Sequence, residues 1–377
     1  MSSCRGSVSS GARLRSEPVT DLLPDFLFVL LGLALLTAGA EAVVRGAGAL
    51  ARRLGVSALL VGLTVVAFGT SAPELAVSLR AATAGRGDVA LGNVVGSNIF
   101  NVLVILGLSA VITPLVVRRQ LVRVDVPIMV GVSFLPLILG WNGLISPGEG
   151  FLLAGLLVAY LLVLVRVAVR TRSAKPAKLP SGSTPAPRPW PLHVLLALVG
   201  LVCLAAGGEV LVGGAAGLAR AAGVSELVIG LTLVAGATSL PEVATSVVAS
   251  LRGERDLAIG NVVGSNVFNV LGVLGASAAA SGGLSVPSGV RAFDFPVMIA
   301  VGLVCLPVFV SGARISRLEG GAFLLFYGVY LTYLALHATD HPFQDEFGRI
   351  VIGFVLPITI ALAGAIYLRA REASRAG

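Results

Sequence analysis

The sequence predicts an all-α integral membrane protein. It has two inverted-topology repeats of five helices plus one extra C-terminal helix, about eleven spans in all. Three observations predict this. Mean hydropathy is +0.96 and only 12% of residues are charged, against about 25% in soluble domains. Continuous apolar runs of 18 or more residues recur along the 377-residue chain, enough to cross a bilayer as helices. The chain also repeats itself at a constant offset of 168 residues.

The same numbers exclude other classes. A disordered chain needs low hydrophobicity and high charge. A transmembrane barrel needs alternating apolar and polar residues. The net charge of +8 reads as Lys and Arg collected in cytoplasmic loops. No basic stretch is interleaved with aromatics, so no nucleic-acid partner is expected. Cys4, Cys203 and Cys305 form no CxxC pair, and His193, His337 and His341 have no ligand spacing. No disulfide framework, zinc site or cofactor is indicated.

Taken in order, residues 1–21 are Ser-rich and basic and read as a disordered tail. Hydropathy places helices at 24–48, 57–80, 88–112, 124–141 and 148–169, then 191–215, 225–250, 257–280, 293–311 and 318–337, and last 349–368. The first repeat is therefore 22–169 and the second 191–338, with 339–377 holding the extra helix and tail. Between the repeats, 170–190 is rich in Pro, Ser and basic residues and reads as a cytoplasmic linker. Phe26 to Leu36 followed by Ala38-Gly39-Ala40 could pass for a cleaved signal peptide. The repeat overrules that reading, because Ala38-Gly39 and Glu41 align with Ala206-Gly207 and Glu209.

Residues 38–109 align with 206–277 without a gap, and 42 of 72 positions are identical. The match includes Glu, Asn, Thr, Ser and Pro in register, which shared hydrophobicity does not produce. Asp125 matches Asp294 and Glu149 matches Glu319. With the N-terminus outside, inside loops hold 17 basic residues and outside loops 5, and the N-terminal tail adds 3 outside. The bias favours N-out and C-in. Five is odd, so the second repeat enters from the opposite side. Many secondary transporters share this architecture, with a site near the midplane where the repeats meet. Arg outnumbers Lys 25 to 2, which suggests a GC-rich bacterial genome and the cytoplasmic membrane.

The chemistry lies in Thr70-Ser71-Ala72-Pro73-Glu74 and its twin Thr238-Ser239-Leu240-Pro241-Glu242. A carboxylate at the bilayer centre costs at least about 2.5–3.5 kcal/mol. One copy could be a kink with a protonated Glu, but two matched copies point to function. Each proline removes a helical hydrogen bond and frees the carbonyl of Gly69 or Ala237. On the next helix Ser97 and Asn101 are four apart, as are Ser265 and Asn269, with Asn98 and Asn266 on an adjacent face. Gly92, Gly96, Gly260 and Gly264 are expected to let helices approach closely. These are hard oxygen donors suited to Ca²⁺, Mg²⁺, Na⁺ or Mn²⁺. Two carboxylates balance one Ca²⁺, and Na⁺ or a proton should replace the metal when it leaves. Asp125 and Asp294 read as N-caps, and Glu149 and Glu319 as helix-start carboxylates. Glu41 and Glu209 are second-tier candidates, with Arg45 placed to pair with Glu41 at i+4.

The paired GTSAPE…GNVVGSNIFN and ATSLPE…GNVVGSNVFN blocks resemble the α-repeats of the cation/calcium antiporters, in particular the prokaryotic sodium/calcium exchangers. The resemblance implies ten helices in two inverted halves and exchange of Ca²⁺ for Na⁺ by alternating access. By position it puts binding residues on Ala67, Thr70, Ser71, Glu74, Ser97 and Asn101, and on Ala235, Thr238, Ser239, Glu242, Ser265 and Asn269, the alanines through their carbonyls. Asn269 departs from the family pattern, which has an aspartate there. That leaves two acidic ligands and makes proton coupling an alternative. A divalent ion other than Ca²⁺ and a passive channel are further alternatives. No nucleophile–base pair, Walker motif or metalloprotease spacing occurs, so no catalytic residue is expected and the chain does not read as an enzyme.

Overall fold

The structure is a computed structural model and describes residues 22–117, 120–171, 190–224, 229, 235–310, 314–339, 342, 343 and 346. The N-terminal tail, nearly all of the linker, most of 225–234 and the expected helix 349–368 lie outside the described residues.

The first half runs α1 (Leu23–Leu54), α2 (Ala58–Thr70), α3 (Ala72–Thr83), α4 (Gly87–Ile112), α5 (Leu121–Asn142) and α6 (Pro147–Thr171). The second runs α7 (Trp190–Ala221), α8 (Ala235–Ala237), α9 (Leu240–Leu251), α10 (Arg255–Ala280), α11 (Phe295–Val310) and α12 (Arg317–Ala338). Among the described residues, seven helices are long and apolar enough to cross a membrane, and the α2–α3 pair makes eight. That pair is bent by 44° at Ser71. α1 outruns its expected end at 48 because Arg52 and Arg53 fit its last turn. Long basic side chains can bury their stems there and keep their charges in water. Gly55 (φ +69°) then stops the helix with its N–H on the Ala51 and Arg52 carbonyls, a conformation that favours glycine.

Burial sorts the helices into layers. The most apolar stretch of α10 is wholly buried and that of α4 two-thirds buried, while α12 is only 11% buried. α4 and α10 therefore form the centre. Close packing in a membrane needs small residues, since no hydrophobic force pulls helices together. Gly260 and Gly264 of α10 supply them. A Cβ on Gly264 would stand 2.7 Å from the Leu63 carbonyl oxygen and from the Ala67 Cβ of α2. Among the described residues Gly92 and Gly96 meet no such neighbour, so their expected packing role is not seen.

The first helices of the two halves run in opposite directions. Gly32 and Gly46 of α1 lie against Leu211 and Ala197 of α7, so the two run antiparallel. Two short antiparallel ribbons tie the halves together: β1 (Leu115–Val116) with β4 (Arg314–Ile315), and β2 (Leu144–Ile145) with β3 (Leu284–Ser285). Each ribbon joins a loop of one half to a loop of the other.

The N-cap expectation for Asp125 fails. The helix starts earlier, through a π-helical turn at Leu121–Asp125, so Asp125 is interior, fully buried and makes no cap bond. Asp294 ends the matching π turn, Val290–Asp294, and its carboxylate takes a hydrogen bond from Tyr330. Glu149 and Glu319 do sit at helix starts, each in a reciprocal cap with Ser146 or Ser316.

Candidate functional site

The bend in the α2–α3 span places Glu74 in the first turn of a new half-helix, where the helix dipole favours a carboxylate. Glu242 holds the same place in α9. Ser71 and Ser239 sit at the two breaks with nearly identical backbone angles (φ −84°, ψ 9° and φ −89°, ψ 3°). Both prolines fall in the first turn of the second segment. A missing N–H costs little there, because it would have no helical partner anyway.

The breaks face each other across the halves. Ser71 Oγ donates to Glu242 Oε1 at 2.9 Å. Ser239 Oγ donates to Glu74 Oε1 at 3.0 Å and lies 3.3 Å from Ser97 Oγ. Each carboxylate is thus held by the serine of the other half. Both glutamates are 1% exposed, and each has its second oxygen, Oε2, without a hydrogen-bond partner.

The threonines reach across as well. Thr70 Oγ1 lies 3.1 Å from Asn261 Oδ1, and Thr238 Oγ1 lies 3.3 Å from Asn93 Oδ1. Asn101 and Asn269 are buried where α4 and α10 pass into π-helical turns, a distortion frequent at functional sites. Their amide N–H groups are taken by Asn266 and Asn98, and each Oδ1 has no partner. Ser265 is fully buried and its Oγ is also unpartnered. Ala67 is buried, and its carbonyl accepts the Ser71 N–H at 3.0 Å. Ala235 lies in α8, just before the second break.

Among the described residues, five buried oxygens of the expected ligand set are therefore unpartnered: Glu74 Oε2, Glu242 Oε2, Asn101 Oδ1, Asn269 Oδ1 and Ser265 Oγ. Leaving a buried polar atom unpaired costs about 1–3 kcal/mol, more when it is charged. All five can donate lone pairs to a hard cation. Among the described residues no three His, Cys, Asp or Glu side chains gather as a metal site. The oxygen set combines two carboxylates with amides and hydroxyls.

Glu41 stands apart from this centre. It pairs with Arg45 on its own helix and with Arg252, and Glu209 is exposed. Sequence reasoning missed Asn93, Asn261, Ser78 and Ser246. Asn93 Nδ2 donates to Ser78 Oγ (2.8 Å) and to the Glu74 carbonyl (3.2 Å), and Asn261 Nδ2 donates to Ser246 Oγ (3.0 Å). The signal was present: each asparagine stands four residues before Ser97 or Ser265, in both copies.

Residues 25–166 and 192–336 match the sodium/calcium exchanger protein family. The chain belongs to that family. This exchanger is 38% identical over 309 residues to the putative antiporter CaxA of Alkalimonas amylolytica, covering 81% of this chain and 96% of that one. It is 31% identical to the sodium/calcium exchanger MaX1 of Methanosarcina acetivorans, covering 82% and 98%. Its fold matches a solved structure of the sodium-calcium exchanger NCX_Mj with a TM-score of 0.71 and 30% identity, over 83% of this chain and 99% of that chain. The exchanger is a multi-pass membrane transporter of the antiporter type.

Proposed function

We propose that the protein exchanges Ca²⁺ for Na⁺ by alternating access, with the cation held between the two broken helices. The observation that carries this reading is the reciprocal pair of buried carboxylates. Each is fixed through one oxygen by the opposite half and is bare at the other. The ligand set is Glu74, Ser71, Thr70, Ser97, Asn101 and Ala67, with Glu242, Ser239, Thr238, Ser265, Asn269 and Ala235.

Two carboxylates balance one Ca²⁺. When it leaves, two charges in low dielectric cannot both stay bare, and Na⁺ takes its place. Alternating access fits a site made from two halves, because motion of one half against the other changes which face is open. The antiparallel crossing of α1 and α7 and the loop-to-loop ribbons support two repeats of opposite orientation. The reading includes eleven spans in the cytoplasmic membrane, with the N-terminus outside and the C-terminus inside.

Asn269 favours a second reading, exchange of Ca²⁺ for protons. An amide there leaves the centre with only two carboxylates to neutralise. The test is Ca²⁺ uptake into proteoliposomes loaded with Na⁺, with K⁺ or with acid buffer, beside a Glu74→Gln, Glu242→Gln control. Uptake that needs internal Na⁺ and vanishes in the control is expected. Uptake that follows the pH gradient selects the proton reading, and uptake independent of both gradients defeats exchange.

A further inference from the structure

The buried asparagines of α4 and α10 form two relays that end on methionine. Asn101 Nδ2 donates to Asn266 Oδ1 at 3.2 Å, and Asn266 Nδ2 donates to Met129 Sδ at 3.4 Å. In the other half Asn269 Nδ2 donates to Asn98 Oδ1 at 3.2 Å, and Asn98 Nδ2 donates to Met298 Sδ at 3.5 Å. All six side chains are buried.

An asparagine can present either its oxygen or its NH₂, and only the oxygen ligates a cation. What faces the cation is therefore set at the far end of the amide. A thioether carries no proton and can only accept. Met129 thus fixes the NH₂ of Asn266 toward itself, and Asn266 must turn its oxygen to Asn101. Asn101 then spends its NH₂ on Asn266 and keeps Oδ1 free, as its unpartnered state records. The same logic leaves Asn269 Oδ1 free.

Composition supports the assignment. The whole chain has three methionines, Met1, Met129 and Met298. The two internal ones stand at matched places in α5 and α11, at the same spacing as Asp125 and Asp294, and both end a relay. Packing alone does not call for methionine, because leucine of similar volume fills such space at little cost.

We infer that Met129 and Met298, acting through Asn266 and Asn98, are positioning residues that hold Asn101 and Asn269 with their carbonyl oxygens free to bind a cation. The inference rests on the proposed reading of the centre as a cation site.

The test is calorimetric Ca²⁺ binding to the purified full-length protein. Met129→Leu is expected to weaken binding about threefold, the worth of one weak hydrogen bond, and to lower thermal stability modestly, because the buried Asn266 NH₂ loses its acceptor. Met298→Leu probes the other relay independently, and the double variant is expected to multiply the two losses. A second background separates positioning from packing. Asn101→Asp has two oxygens and no NH₂ to misdirect, so Met129→Leu should weaken binding no further there. An equal penalty in both backgrounds, or none in either, overturns the relay. If the unaltered protein binds Ca²⁺ and the methionine variants bind it equally, the relay alone falls. If the unaltered protein binds no Ca²⁺, the reading of the site falls with it.

Discussion

Ser71 and Ser239 each hold a glutamate of the opposite half, so each of the two hydroxyls couples the halves at the site. A hydrogen bond to a charged group is worth about 1.5–3 kcal/mol. Ser71→Ala and Ser239→Ala are each expected to raise the Ca²⁺ concentration for half-maximal uptake by about tenfold or more. Concentration-dependent uptake in proteoliposomes measures this. Near-symmetry predicts similar losses, and a variant without loss would remove that serine from the binding set. The glutamates were legible in the sequence because a carboxylate inside an apolar run is costly and has to be explained. Asn93, Asn261, Met129 and Met298 were not. Asn93 and Asn261 lie outside the Ser–Asn pairs that marked the site, methionine is unremarkable in such runs, and the importance of all four lies in what they touch. Asp125 misled for a related reason. A carboxylate just before a helical proline looks like a cap, and only the π turn ahead of it makes the position interior.

At the scale of elements, hydropathy gave the helices among the described residues, and the TSxPE blocks gave the breaks. What they could not give is which glycines carry close contacts. Gly260 and Gly264 both sit where α10 meets α2. Gly155 lies on α6 with nothing within 4 Å of a Cβ built on it. Gly264→Ala should force α2 and α10 apart and destabilise the fold by about 1–3 kcal/mol, as overpacking does. Gly155→Ala should be neutral or slightly stabilising, since alanine favours helix. Thermal unfolding of the two variants in detergent decides it, and equal midpoints would mean that the α2–α10 contact tolerates expansion. The helix starts were easier to read. Ser146–Glu149 and Ser316–Glu319 follow the spacing of a reciprocal cap, and Ser316→Ala is expected to cost about 1 kcal/mol in the same measurement.

For the whole molecule, the doubled sequence implies that matched helices point in opposite directions, and the contacts bear on that residue by residue. Arg52 at the end of α1 pairs with Glu254, which precedes α10, and Glu41 pairs with Arg252. Arg291, which precedes α11, donates to the Trp141 carbonyl at the end of α5, at 2.7 Å. The first pairs gather the C-terminal half of α1 with the loop after α9, and the last gathers the end of α5 with the start of α11. Each span reverses direction, and three spans separate the end of α1 from the end of α5 when α2 and α3 count as one. Three steps of the chain (α2–α3, α4 and α5) therefore place Trp141 on the side opposite Arg52. Single cysteines at Arg53 and Arg252, in a background with Cys4, Cys203 and Cys305 replaced, should react with a membrane-impermeant thiol reagent from one side only. Cysteines at Trp141 and Gly283 should react from the other side only. With the N-terminus outside, intact cells would label Trp141→Cys and Gly283→Cys, and inverted vesicles Arg53→Cys and Arg252→Cys. Labelling of all four from one side would break the opposed orientation. Alternating access would lose its basis with it, since two halves facing the same way would not exchange their open sides by mirrored motion.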